Sequence, residues 1–295
     1  MDIAKEKRAV EYLKTFEPES EPYYLCYSGG KDSDCIKILA QIAGVKFEAV
    51  HNLTTVDAPE TVNYIKSQKD VRIDRPELSM WQLIKKKCIP PTRLIRYCCS
   101  ELKERGGKGR LKITGVRWAE SKTRTEASDV VKIIGKPKTI QALAEKEGIE
   151  HRITRQQGMV LNNDNAETRR FVEHCYRTTT TMINPIVDWS DEDVWEFLKH
   201  YGCQSNPLYQ CEFKRIGCIG CPMAGKARYK EFLKYPKYKE NYIKTFDRML
   251  ESRNLRGLKS PELWYDGEAV FKWWMEENPA QITMFDFMEM EEEWL

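Results

Sequence analysis

The chain has 295 residues, 41% hydrophobic and 32% charged, with 13 prolines and 16 glycines; this excludes collagen-like and broadly disordered classes and leaves ample material for a buried core. No apolar run approaches the roughly 18 residues a bilayer crossing needs. The charged start Met1-Asp2-Ile3-Ala4-Lys5 has no apolar signal core, so a cytoplasmic protein without membrane contact is expected. The net charge of +3 hides an asymmetry, since residues 261–295 hold ten acids against Lys272 alone.

In chain order, residues 4–16 are predicted to form an amphipathic helix. Tyr23–Tyr27 is an apolar run that stops at Ser28-Gly29-Gly30, as a strand entering a loop does. From Ser33 the apolar positions Cys35, Ile36, Ile38, Leu39 and Ile42 recur at helical spacing, and Gly44 closes that helix. Val45–Val50 is a second strand, Ala58–Ser67 a helix with Pro59 near its start, Val71–Ile73 a third strand, Met80–Lys87 a helix, and Leu111–Val116 a strand. Strands alternating with helices predict an α/β fold built on a parallel, helix-flanked sheet. Residues 118–181 are more irregular and are expected to be an insertion or a substrate-facing lid. Ser190 starts a helix with a Ser190…Asp193 capping-box spacing. The expected division is an α/β domain at 1–200, a cysteine-rich segment at 201–225, and a helical region at 226–295 whose acidic, tryptophan-rich tail docks as a cap.

Ser28-Gly29-Gly30-Lys31-Asp32-Ser33 joins the first strand to the first helix of the sheet. Two glycines permit a tight turn, and the N–H groups at the helix start suit a phosphate. The Walker A frame is absent. The hexapeptide resembles the pyrophosphate (PP) loop of the adenine nucleotide α-hydrolase superfamily. Within it, the chain is similar to the phosphoadenosine phosphosulfate (PAPS) reductase family through four further ordered blocks: Pro59-Glu60-Thr61, Arg96–Lys103, Gly115–Arg124 and Pro185–Trp195. The resemblance spans residues 22–225. It implies binding of ATP or of a sulfonucleotide (PAPS or adenylyl sulfate, APS) by Ser28–Ser33. Arg117 and Arg124 are expected to be unpaired forks on its anionic groups. Lys31, Asp32 and Arg117 are the expected catalytic residues, with Asp32 holding Mg²⁺ if ATP is used.

Ten cysteines in a reducing compartment point to metal or redox chemistry, and the four histidines give little support to a Cys/His zinc finger. Cys98-Cys99 and Cys218-Ile219-Gly220-Cys221 resemble the paired motifs with which some sulfonucleotide reductases hold a [4Fe–4S] cluster; zinc is the alternative. Cys211 is a fifth candidate. A set of Cys98 or Cys99 with Cys211, Cys218 and Cys221 resembles the DNA phosphorothioation enzyme of the superfamily, and a set of Cys98, Cys99, Cys218 and Cys221 resembles the assimilatory reductases.

The reductases' Glu-Cys-Gly-x-His setting for a nucleophilic cysteine has no counterpart, because no cysteine follows Cys221. The leading expectation is therefore an enzyme that cleaves ATP between the α and β phosphates and transfers sulfur to the adenylated acceptor. A sulfonucleotide reductase releasing sulfite is the alternative, and a non-catalytic nucleotide-binding subunit the second alternative. Ten Lys/Arg between Lys85 and Lys112 are compatible with DNA or tRNA as acceptor, or with the nucleotide alone. A cysteine desulfurase or a reductant protein is the expected protein partner.

Overall fold

The computed structural model describes residues 2–155, 158–211 and 213–276. The chain divides into two compact units. The first holds the residues up to Asn52, Pro59–Asp74 and Arg105–Ile216; the second holds Leu53–Ala58, Arg75–Glu104 and the residues from Gly217 onward.

Helix α1 (Ile3–Thr15) opens the first unit, capped by the Asp2 carboxylate, which accepts from the N–H groups of Ala4 and Lys5. Strand β1 (Tyr23–Cys26) is buried along most of its length, as a central parallel strand must be. Helix α2 (Lys31–Ala43) buries Cys35, Ile36, Leu39, Ala40 and Ala43 on one face and ends at Gly44, whose φ of 70° is left-handed. Strand β2 (Phe47–Asn52), helix α3 (Pro59–Ser67) and strand β3 (Val71–Asp74) follow. The next helix, α4 (Met80–Lys87), belongs to the second unit. Back in the first unit, β4 is only Lys112–Ile113, shorter than the strand expected at Leu111–Val116.

The stretch at residues 118–181, expected as an insertion or a lid, adds strands to the sheet. It holds α5 (Lys122–Ala127), β5 (Val131–Ile134), α6 (Pro137–Lys146), β6 (Arg152–Ile153), β7 (Met159–Leu161), α7 (Ala166–Cys175) and the first residues of β8 (Thr180–Ile183). The eight strands run β3-β2-β1-β4-β8-β5-β7-β6. The first five are parallel, while β5, β7 and β6 join antiparallel. These added strands are short, two to four residues, and carry the interior residues Val131, Ile133, Met159 and Leu161 of the same hydrophobic core as Leu25 and Ile113. Two-residue strands give no alternation to count, which is why the segment is irregular by sequence. The fold is thus mixed α/β with an eight-stranded, largely parallel sheet. Helix α8 (Asp191–His200) completes the regular elements of this unit under its Ser190 cap, where Asp193 N–H donates to Ser190 Oγ at 3.1 Å.

Loop Ser28–Ser33 lies at the carboxyl end of β1. That strand has β2 on one side and β4 on the other, so the order reverses there, the place where open α/β sheets bind ligands.

The second unit packs α4 with α9 (Ala227–Lys234), α10 (Pro236–Leu255) and α11 (Gly267–Met275). Phe232, Tyr242, Phe246, Phe271 and Trp274 form its aromatic core, with Tyr242 and Trp274 rings 4.7 Å apart. Each such ring contributes roughly 1.5–3 kcal/mol by burial. The domain boundaries therefore differ from expectation: residues 201–216 belong to the nucleotide-loop unit, while 217–225 join the helical region together with 53–58 and 75–104. Separation along the chain hid this pairing. The basic stretch Lys85–Lys112 is likewise divided between the units. Of the tail read as a cap, Trp264 and Trp274 are buried, whereas Trp294 lies outside the described residues. Among the described residues no helix is long and apolar enough to cross a membrane.

Candidate functional site

The loop conformation follows from its composition. Gly29 has φ 74°, and a Cβ there would lie 2.9 Å from Ile65 on α3, so only glycine fits. Gly30 caps α2: its N–H donates to Ser33 Oγ at 3.1 Å, and Ser33 Oγ–H donates to Gly30 O at 2.7 Å. The Ser33 and Asp34 N–H groups turn inward onto Gly30 O. The Lys31 N–H donates to the Tyr209 hydroxyl at 2.9 Å.

Beside the loop, four charges close on one another. Arg117, only 2% exposed, donates from Nε to Asp32 Oδ1 at 2.7 Å, from Nη2 to Asp191 Oδ1 at 2.6 Å, and from Nη1 to Trp189 O at 3.1 Å. Lys31 Nζ donates to the same Asp191 oxygen at 2.9 Å and lies 3.5 Å from Asp32 Oδ1. Burial works against the Arg117 charge, yet Asp32 and Asp191 hold its pKa above the ordinary value. The Lys31 hydrogen bond, followed by that of Arg117, holds the Asp191 carboxyl below its usual range.

This corrects the expectation of two free forks. Arg117 is paired to carboxylates 85 and 74 residues away, and Arg124 is an exposed residue paired with Glu120 one turn back at 3.1 Å. Arg110, on the basic stretch, pairs with Glu48 and donates to the carbonyls of Pro22 and Tyr23. Sequence reasoning missed Asp191, which stands beside the Ser190…Asp193 cap, and Asn206 and Tyr209, which stand in a turn with no motif. Asn206 Nδ2 donates to Gly29 O at 3.0 Å and Thr61 Oγ1 at 3.1 Å, fixing the turn against the loop.

Beneath the loop, Asp34 is 3% exposed and accepts from the Tyr27 hydroxyl at 2.5 Å. Burial pushes its carboxyl up to about 6, against hydrogen bonds from Tyr27 and Tyr64. A folded pKa above the unfolded one means stability that is whole below about pH 4 and lost as pH rises through 6, on the order of 2–3 kcal/mol by neutrality. Asp34→Asn is therefore expected to exceed the wild type in stability by about that amount at pH 8, with the gap closing near pH 4. Urea denaturation at the two pH values checks this; a gap independent of pH would refute it.

In the second unit, one small pocket, with about 20 Å³ of space that water can enter, is lined by Cys98, Cys99, Cys218 and Cys221 with Thr54, Met80, Pro91, Lys103, Gly220, Pro222 and Tyr242. Cys99 begins a π-helical turn, Cys99–Lys103, in which Glu104 N–H reaches Cys99 O at 2.8 Å. Gly220, at φ 76°, sits so close to Phe232, Trp274 and Tyr242 that a Cβ would meet them at 2.7–3.1 Å. The Cys218…Cys221 turn is thereby pressed onto the aromatic core, with Ile219 N–H on Val56 O at 2.8 Å and Tyr242 Oη on Ile219 O at 3.0 Å.

Cys218 is pushed up to about 12 by burial. The Cys98 thiol and then the Arg96 guanidinium, 3.3 Å from the sulfur, favour Cys99 as thiolate and lower its pKa, while the same pairing and burial raise Cys98. Cys211 is exposed, lies in the first unit and is not among the residues lining this pocket. Among the described residues no group of three or more His, Cys, Asp or Glu side chains is placed to hold a metal ion.

Residues 22–224 match the phosphoadenosine phosphosulfate reductase domain. The chain belongs to that family. An uncharacterized protein of Methanocaldococcus jannaschii is 27% identical over 269 residues, covering 87% of this chain and 52% of that protein. The chain thus spans about half the length of that relative. The adenosine 5'-phosphosulfate reductase of Allochromatium vinosum is 43% identical over 42 residues, 14% of this chain and 16% of that enzyme. Among solved structures, a PAPS reductase from Candida auris in a phosphate complex aligns at 16% identity and a TM-score of 0.40, covering 71% of this chain and 87% of that one. For this member of the family, the reductase domain match reaches into both units, since it includes Cys98, Cys99, Cys218 and Cys221 as well as the loop.

Proposed function

We propose that the chain is a nucleotide-binding enzyme that cleaves ATP between the α and β phosphates and transfers sulfur to the adenylated acceptor. The observation that carries this reading is loop Ser28–Ser33 at the reversal of strand order, with Lys31, Asp32, Arg117 and Asp191 grouped beside it. An acceptor oxygen attacks the α phosphorus, pyrophosphate leaves with the bonding electron pair, and a sulfur nucleophile then displaces AMP. In this scheme the N–H and ammonium of Lys31, released from Tyr209 and Asp191, take the charge developing on the pyrophosphate. Asp32 suits Mg²⁺, because Arg117 occupies Oδ1 while Oδ2 makes no hydrogen bond among the described residues. Arg117 acts as a positioning residue that keeps Asp32 and Asp191 side by side.

The four thiols of the second unit suit an iron–sulfur cluster in donor chemistry. All four line one pocket, and the resemblance of their paired motifs to those of sulfonucleotide reductases supports a [4Fe–4S] cluster over zinc with Cys98, Cys99, Cys218 and Cys221 as its ligands. Such a cluster supplies electron or sulfur handling when bound. DNA or tRNA is the proposed sulfur acceptor, and a cysteine desulfurase or reductant protein the proposed partner.

A second reading, reduction of PAPS or APS to sulfite, is favoured by the short match to an APS reductase. Anaerobic incubation with ATP plus a sulfur donor and acceptor, and separately with PAPS and APS plus a reductant, decides between them. AMP with pyrophosphate supports adenylation. Sulfite release without pyrophosphate overturns it in favour of reduction, and neither product points to a non-catalytic subunit.

A further inference from the structure

We propose that Tyr209 is an internal substitute for a phosphate oxygen, a neutral acceptor that a ligand's charged oxygen must displace, and that it thereby holds down the loop's affinity for phosphate-bearing ligands. The inference rests on the nucleotide reading of the loop. Lys31 is the first residue of α2, so its N–H has no partner within the helix. The Tyr209 hydroxyl takes that donor at 2.9 Å and lies against the loop, 3.2 Å from where a Cβ on Gly30 would stand. The side chain is held there from two directions. Its ring meets Trp195 edge-on at 5.0 Å, and its own N–H donates to Asn206 O at 3.1 Å, on the residue that grips Gly29 and Thr61. Burial, and then the charges of Asp32, Asp34 and Asp191, keep the phenol protonated.

The ammonium of Lys31 is taken as well, by Asp191. Both kinds of donor on this residue therefore carry protein oxygens in the free state. A phosphate oxygen makes a charge-assisted bond about twice as strong as a neutral hydroxyl and offsets the displacement; an uncharged ligand group does not.

Removing the hydroxyl leaves the Lys31 N–H unsatisfied in the free loop and raises that state alone. Tyr209→Phe is thus expected to bind pyrophosphate and a non-hydrolysable ATP analogue roughly tenfold more tightly, about 1.4 kcal/mol, with adenosine affinity unchanged. A purely structural role would not separate the ligands in this way. Tyr209→Leu, which also lacks the acceptor, should move in the same direction and guards against a fault peculiar to one variant. Calorimetric titration of the three proteins with the three ligands is the test. Phosphate affinities equal to or weaker than wild type overturn the role of Tyr209 and leave the nucleotide reading standing. Failure of every protein, wild type included, to bind either phosphate ligand overturns both.

Discussion

Arg117→Ala is expected to weaken binding of a non-hydrolysable ATP analogue by about 100-fold and to destabilise the first unit by roughly 2–3 kcal/mol. The guanidinium is buried and holds two carboxylates whose side chains are themselves 25% and 64% exposed. Breaking a fully buried pair costs about 3–5 kcal/mol; water around Asp191 reduces that here. The effect on affinity has a separate origin. Without Arg117, Asp32 and Asp191 lose their shared counter-charge and compete with the phosphates for Lys31. Arg117→Lys should recover only part of the loss, because one ammonium cannot reproduce the Nε and Nη2 contacts together. Arg110 is unsuitable as a comparison, since it is tied to Glu48 and two carbonyls. The exposed Arg170, paired only within its own helix turn to Glu167 at 3.3 Å, is the better one. Titration and urea denaturation of the Arg117 and Arg170 alanine variants check both halves. Equal losses would mean that the network beside the loop has no special part in binding.

What was legible in the sequence was local. The hexapeptide Ser28–Ser33 could be placed at a strand-to-helix turn because glycine and helical spacing are read over a dozen residues. Four of the five parallel strands, β1 to β4, followed from the same periodicity, whereas β8 fell largely in the stretch that reads as irregular. The partners of Arg117 were not legible, because Asp32 and Asp191 approach it only when β4 and α8 are assembled around α2. Asp191 stands beside the Ser190…Asp193 cap of α8, and nothing in its local sequence marks it. Tyr209 had none at all: a single aromatic in a turn carries no period. The antiparallel strands β5 to β7 were invisible for a different reason, being too short for alternation to accumulate. The second unit was misdivided because Cys98-Cys99 and Cys218…Cys221 share it with α10 and α11 across more than 110 intervening residues, which segment boundaries drawn along the chain do not show.

Replacing any one of Cys98, Cys99, Cys218 or Cys221 with serine is expected to remove most of the iron from anaerobically purified protein, while Cys211→Ser retains it. The argument is again one of placement. The four pocket cysteines belong to one compact unit, and three features commit them to it: the π-helical turn at Cys99, the pressed glycine at Gly220 and the half-buried Cys218 thiol. Cys211 is exposed on the other unit. A serine at a pocket position replaces a soft thiolate with a hydroxyl that stays protonated at neutral pH, so the loss is in ligand chemistry with little change in shape. Because metal binding is coupled to folding, each pocket variant should also melt at a lower temperature than the wild type. Buried thiols packing without metal would behave differently, with small, unequal shifts that do not track iron content. Iron and acid-labile sulfide per chain, measured beside the melting temperature for all five variants, separates the two. Wild-type protein prepared without oxygen that holds neither iron nor zinc would end the metal reading, and iron lost on Cys211→Ser would move the ligand set away from this pocket.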